Sequence, residues 1–352
     1  MKKMLLEDYR PQLECVRAET KITKAKFPVI DIHTHMGKLV MGKKYKDLYD
    51  TKSHITKLND LNVEHVVNLD GCYGKDFDNM MKKVSDYRDS ISTFIWIDFS
   101  KFGTPEFEKE TTEHILSSFH KGAKGIKMWK VISLEYKDEK GNYIRTDDPR
   151  MKFIYKLAAK LNLPILIHIA DPTAFFKPVD ENNERYEELK QNPSWSFCKE
   201  GLMSFEELLV MQENMIRNNK KTKFIIAHFG SYAENLDYVG KQLDKYPNMY
   251  IDTAARFSEL GRVPYSARKF FIKYQDRILF GTDSTPLSYS EYLIAFRFLE
   301  TFDECFYHHD EKDYPGQGRW YIYGISLPNK VLKKIYSQNA IKLLKLDLKN
   351  VV

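Results

Sequence analysis

Two histidines one residue apart, His33 and His35 in VIDIHTHMG (29–37), end an apolar run near the start of the chain. In an extended strand, residues i and i+2 point to the same face about 6.6 Å apart. Two imidazoles so placed can reach one ion while Thr34 faces away, or they can be two hydrogen-bonded polar residues of an alternating strand. The pair by itself leaves both readings open. Further along, Lys127 (GIKMW), His168 (LPILIH), His228 (IIAHFG) and Asp283 (LFGTD) each stand at or near the end of a separate apolar run. Each has a plain alternative: a core histidine for His168 and His228, a helix cap for Asp283, a salt-bridged lysine for Lys127. Their recurrence at run ends points to a shared site. Three neutral imidazoles with a carboxylate suit zinc or a similar first-row divalent ion with one position open to water. Such an ion lowers the pKa of its water toward about 7 and polarises a substrate oxygen.

Eight segments rich in Val, Ile, Leu and Phe carry these residues: 27–35, 63–71, 92–100, 123–129, 163–171, 223–231, 249–255 and 277–284. Each apolar run is nearly continuous, which is the signature of a strand buried on both faces of a parallel sheet. Helical segments lie between most of them. In DDPRMKFIYKLAAKLN (147–162), Pro149 sits in the first turn and Phe153, Ile154, Leu157 and Ala158 follow at helical spacing. Alternating strand and helix predict a (β/α)8 TIM barrel or a doubly wound sheet. No GxGxxG or GxxxxGK[ST] turn follows any strand, which counts against a nucleotide-binding sheet. In a barrel the carboxyl ends of the strands converge on one mouth, so the six polar residues would meet there. We read one domain over 1–352, with the barrel core at about 27–285. A long polar and aromatic insertion at 172–203, after strand five, reads as a lid or substrate loop, and 286–352 as a C-terminal helical extension.

Composition narrows the partners. With 352 residues, 43% of them hydrophobic, the chain can bury a large core. A net charge of +6 is spread without a basic block, which argues against nucleic acid and suits a small anionic substrate. Cys15, Cys72, Cys198 and Cys305 form no CxxC pair and read as free thiols. No run approaches the roughly 18 apolar residues of a membrane span, and Glu7, Asp8 and Arg10 interrupt any signal-peptide core, so a cytoplasmic, membrane-free protein is expected.

With HxH on strand one, histidines on strands five and six and LFGTD on strand eight, the chain resembles the amidohydrolase superfamily of metal-dependent (β/α)8 enzymes. PVIDIHTH, GIKMW, LPILIH, IIAHFG, YIDTAA, RILFGTDS and NAIKLLKL are most similar to its amidohydrolase-related branch, which includes lactonases, hydratases and nonoxidative decarboxylases. The resemblance runs from about residue 27 to 347. It implies that His33, His35, His168 and Asp283 hold one Zn2+, that His228 stands beside the metal water as an acid/base or polarising group, and that Asp283 also acts as general base. A second ion is implied only if Lys127 is carbamylated; an unmodified Lys127 would hold a substrate carboxylate. Arg256, Arg262 and Trp129 are further substrate-binding candidates at the mouth, and Asp70, Asp171 and Asp252 are candidates to orient ligand imidazoles. The expected activity is metal-dependent hydrolysis of a small carboxylate-, ester-, lactone- or amide-bearing substrate. The alternatives are a decarboxylase (lyase) of an aromatic or unsaturated acid and a noncatalytic metal-binding barrel. The resemblance also implies a homodimer, for which the aromatic segment near Trp320 offers a contact.

Overall fold

The computed structural model describes residues 4–5, 8–9, 13–309 and 316–347. Its eight strands are β1 (Val29–Thr34), β2 (Val63–Asn68), β3 (Ile91–Ile95), β4 (Gly125–Met128), β5 (Ile165–Ile167), β6 (Phe224–Ile226), β7 (Met249–Asp252) and β8 (Ile278–Leu279). They pair in parallel in chain order. Backbone hydrogen bonds close β8 onto β1: Ile32 N to Phe280 O at 3.0 Å, Asp283 N to His33 O at 2.8 Å and His35 N to Ser284 O at 2.9 Å. The expected (β/α)8 barrel is therefore the fold. The strands are shorter than the apolar runs because the chain bends away at the mouth, where the functional residues lie.

A helix follows each strand: α1 (Thr51–Asp60), α2 (Gly74–Lys83), α3 (Pro105–His120), α4 (Lys152–Leu161), α5 (Phe205–Asn218), α6 (Leu236–Lys245), α7 (Pro264–Lys273) and α8 (Ser290–Glu300). Local chemistry sets several starts. Ser204 and Glu207 form a reciprocal capping box at α5, and Pro105 and Pro264 occupy first-turn positions of α3 and α7, where a missing N–H costs nothing. Alternate strand residues serve two apolar layers. Ile30, Ile32, Val67, Leu69, Phe94, Leu166, Ile225 and Leu279 fill the barrel, whereas Val29, Val66, Ile126, Ile165, Ile226 and Ile251 pack against the helices. That double burial is why the runs are continuous rather than alternating.

The C-terminal segment forms part of the barrel. Helix α9 (Asn329–Lys333) passes through a π turn (Lys334–Gln338) into α10 (Asn339–Leu344). Ala340, Leu343 and Leu344 join the inner cluster. Asn339 Nδ2 donates to Gln275 O and Ile278 O, both at 2.7 Å, at the entry of β8. These helices therefore plug the floor, at the end opposite the mouth. The insertion carries short helical turns at Thr173–Phe176, Tyr186–Gln191 and Pro193–Trp195. Residues 310–315 and 348–352 of the extension, including the start of its aromatic segment, lie outside the described residues. Among the described residues, no helix is long and apolar enough to cross a membrane.

The floor plug makes a simple prediction. Leu343 is 3% exposed in the inner cluster, so Leu343→Ala removes buried methyls, leaves a cavity there and lowers unfolding free energy by about 2–5 kcal/mol. A urea titration followed by circular dichroism checks this.

Candidate metal centre

The pairing of β1 with β2 slips between Asp31 and Thr34, and at this irregularity the chain turns His33 and His35 into the mouth. Asp31 fixes the slip from behind. Its Oδ1 accepts from His33 N (2.9 Å) and Thr282 N (3.2 Å), and its Oδ2 accepts from Thr282 Oγ1 (2.5 Å), so a fully buried carboxylate ties β1 to the residue before Asp283. Thr34 faces away and donates Oγ1 to Val67 O at 2.9 Å. Asp283 itself has a left-handed backbone (φ 69°).

Both histidines are buried, with ring centroids 5.5 Å apart. Asp252 Oδ2 lies 2.8 Å from His33 Nδ1, and Asp70 Oδ1 lies 2.7 Å from His35 Nδ1. A carboxylate only accepts, so both Nδ1 atoms carry the hydrogen and both Nε2 atoms present lone pairs. Those lone pairs converge on Asp283 Oδ1, at 3.3 Å from His33 and 3.0 Å from His35. Trp129 stacks on the His35 ring at 5.6 Å, nearly parallel at 9°, and so fixes its plane.

The second pair comes from β5 and β6. His228 and Phe229 are consecutive left-handed residues (φ 56° and 58°), a conformation that costs non-glycine residues about 1–3 kcal/mol each. Asp252 offsets this by accepting from His228 N at 2.8 Å through Oδ1, and His228 Nδ1 donates to Ala254 O at 3.0 Å. His168 Nε2 donates to Asp171 Oδ1 at 3.2 Å. The remaining nitrogens, His168 Nδ1 and His228 Nε2, face each other at 3.1 Å. Burial lowers the His168 imidazole to about 4 and holds His228 well below its usual value, so both rings are neutral and two lone pairs meet.

Acceptors aimed at one another without a hydrogen between them call for a positive charge. Among the described residues, His33, His35 and Asp283 form a set of three donor atoms within 4.8 Å of one another; His33, His228 and Asp252 form a second, already occupied by internal hydrogen bonds. His168 belongs to neither set. The first set, neutral imidazoles plus a carboxylate with their far nitrogens braced by Asp70 and Asp252, fits a divalent ion. Without an ion a proton partly meets the need. Burial would lower His35, but Asp70 and Asp283 outweigh it and push it up to about 9. Burial likewise would raise Asp283, yet the adjacent His33 and His35 hold it well below the usual carboxylate range.

Above the centre lies a cavity of about 480 Å³ lined by His33, His35, Lys127, Trp129, His168, His228, Arg256 and Asp283, with Phe175 and Trp195 from the insertion. Two of its cations have no carboxylate partner among the described residues. Lys127 is 2% exposed with Nζ 3.4 Å from His33 Nε2, and burial lowers it to about 8. Arg256 is 6% exposed and donates to Ala255 O at 2.7 Å. Lys130, by contrast, is paired with Asp171. Arg262 stands outside the cavity: six residues past Arg256 it reaches the surface, pairs with Glu184 at 2.9 Å and lies over the Trp320 ring at 4.2 Å. The sequence reading missed Arg185 and Glu188, which also line the cavity. They come from the middle of the insertion, where no periodicity marks an inward side chain.

The family model for amidohydrolases matches residues 30–346. No curated protein sequence matches the chain. Among solved structures, 2,6-dihydroxybenzoate decarboxylase from Rhizobium is 14% identical with a TM-score of 0.56, over 91% of this chain and 99% of that one. An amidohydrolase from Burkholderia multivorans with bound zinc is 10% identical with a TM-score of 0.53, over 91% and 99%. A 5-carboxyvanillate decarboxylase from Sphingomonas paucimobilis is 10% identical with a TM-score of 0.52, over 91% and 100%. At these identities the likeness is one of fold.

Two outcomes follow from the braced imidazoles. Asp70→Asn presents an amide to His35 Nδ1 and frees the ring to rotate or change tautomer, so metal affinity falls about 10–100-fold in a chelator competition. The metal-free protein should also lose stability with pH. A folded pKa raised from 6.5 to about 9 stabilises fully below the lower value and is lost as pH rises through the upper one. Thermal unfolding of metal-free protein between those pH values measures the loss, and Asp70→Asn should flatten it.

Proposed function

The chain belongs to the amidohydrolase family, and on that premise we propose a metal-dependent hydrolase acting on a small anionic substrate that carries an ester, lactone or amide. The observation that carries the reading is Asp283. Its side chain is 31% exposed toward the cavity, and its carboxylate stands where the Nε2 lone pairs of His33 and His35 converge, at 3.3 and 3.0 Å, so beside a bound ion it is placed to accept a proton. A divalent ion, most simply one zinc, held by His33 Nε2, His35 Nε2 and Asp283, which His168 would join by turning its Nδ1 away from His228, would supply Lewis-acid polarisation of the scissile carbonyl and a water of lowered pKa.

The other roles belong to the chain's own residues. Asp283 takes the proton of the attacking water. His228, whose Nδ1–H is committed to Ala254 O, offers a neutral Nε2 that accepts this proton from Asp283 and passes it to the leaving group, which returns Asp283 and His228 to their starting states. Lys127 and Arg256, both lining the cavity, bind substrate anions, since neither has a carboxylate of its own, and Trp129 gives a flat apolar face. On this reading Lys127 is unmodified and one ion suffices.

Decarboxylation is the second reading. The observation favouring it is the same pair of cations without a carboxylate partner among the described residues, which suits a substrate carboxylate that is itself lost. Against it stands the placement of Asp283 as a carboxylate among the ion's donors, because protonating carbon needs an acid.

Zinc-loaded protein incubated in H2(18)O with lactones, aryl esters, N-acyl compounds and hydroxybenzoates separates the two. Hydrolysis places one solvent oxygen in the product; evolved carbon dioxide with no solvent oxygen overturns it in favour of the lyase. On the substrate so found, His228→Asn is expected to lower kcat about 10²–10⁴-fold with metal content unchanged. Unchanged turnover would remove His228 from the chemistry.

A further inference from the structure

Arg256 is a buried guanidinium that touches no carboxylate among the described residues, although buried Glu188 lines the same cavity and buried Glu259 follows Arg256 by three residues. Arg185 accounts for this. At 1% exposure it donates through Nη1 to Glu188 Oε2 at 2.9 Å and pairs through Nη2 with Glu259. The other Glu259 oxygen accepts from Ser258 Oγ at 2.7 Å. Arg185 is itself fixed: its backbone N donates to Asn183 Oδ1 at 2.9 Å, and its guanidinium lies 5.2 Å from the Trp320 ring centre. One guanidinium against two carboxylates leaves the cluster at a net charge of −1. Arg256 lines the same cavity as Arg185 and Glu188, within electrostatic reach of both and in contact with neither.

We propose that Arg185 is a positioning residue that determines specificity: by occupying Glu188 and Glu259 it keeps the Arg256 guanidinium open toward the cavity for a carboxylate on the substrate. The inference rests on the reading of this cavity as an anion site. Without Arg185, two buried carboxylates lose their partner, and unpaired buried charge is costly enough to recruit the nearest free cation. Arg256, three residues before Glu259 and beside Glu188 in the cavity wall, is that cation. Once captured, it no longer offers a forked, charge-assisted contact to a ligand.

Benzoate, titrated calorimetrically into the zinc-loaded protein, is the probe. Arg256→Met and Arg185→Met are each expected to weaken its Kd about tenfold or more, the loss of one charge-assisted hydrogen-bonded pair. The triple variant Arg185→Met/Glu188→Gln/Glu259→Gln, which removes the charges that would capture Arg256, should bind within about threefold of wild type. Where Arg185→Met does not fold, as judged by circular dichroism, Arg185→Gln replaces it. A triple variant as weak as the single one overturns the inference, because Arg185 would then contact the anion itself. Arg185→Met binding like wild type while Arg256→Met is weakened also overturns it. Absence of binding by wild type, or an Arg256→Met variant that binds normally, overturns the anion-site reading beneath it.

Discussion

Two hydrogens, those on Nδ1 of His33 and His35, decide what the mouth of this barrel can do. Each is committed to a buried carboxylate, Asp252 or Asp70. That commitment fixes the tautomer, and the tautomer aims both Nε2 lone pairs at Asp283. Acceptors that converge in a buried place repel unless a cation stands among them, and the Lys127 ammonium reaches only His33 Nε2, at 3.4 Å, so the neutral-histidine geometry fits an ion at the point where all three donors meet. Asp252 extends the constraint. Its other oxygen holds the backbone of His228, so one carboxylate couples a ligand ring on β1 to the left-handed turn after β6.

The mouth tolerates this because the rest of the barrel is settled. The interior below the histidines is apolar and closed at its floor by Ala340, Leu343 and Leu344. Left-handed residues occur at both ends, but before β2 and β5 they are Asn62 and Asn162, a type that tolerates this conformation, whereas Cys72, His228, Phe229, Ser231, Ala255 and Asp283 adopt it just beyond β2, β6, β7 and β8. Strain of this kind persists where neighbours over-determine the chain and places side chains where a regular strand end would not. At Asp283 the left-handed turn sets the carboxylate between the two imidazoles.

Much of this was legible in the sequence, for physical reasons. Strands buried on both faces must be apolar throughout, so all eight announced themselves, and the polar residues ending them stood out by contrast. HxH spacing placed two imidazoles together before any fold was assumed. What stayed hidden depended on partners distant in the chain or on rotation about side-chain bonds. Asp31 looked like one polar residue in an apolar run, yet it clasps the seam between β1 and β8. Arg185, in a segment without periodicity, meets Glu259, 74 positions away beyond β7. Arg256 and Arg262 looked equivalent, but between them the chain turns from the cavity wall to the surface. His168 reached the mouth as expected, with a ring turned toward His228 rather than toward Asp283. The last helices read as an appendage, because a plug and a surface helix present the same apolar stripe.

Elemental analysis of the purified, dialysed protein tests the central claim most directly. The converging lone pairs predict one divalent ion per chain in the wild type and its loss from a folded His35→Ala variant. A protein that takes up no ion after incubation with zinc, or a His35→Ala variant that keeps its ion, would contradict the account.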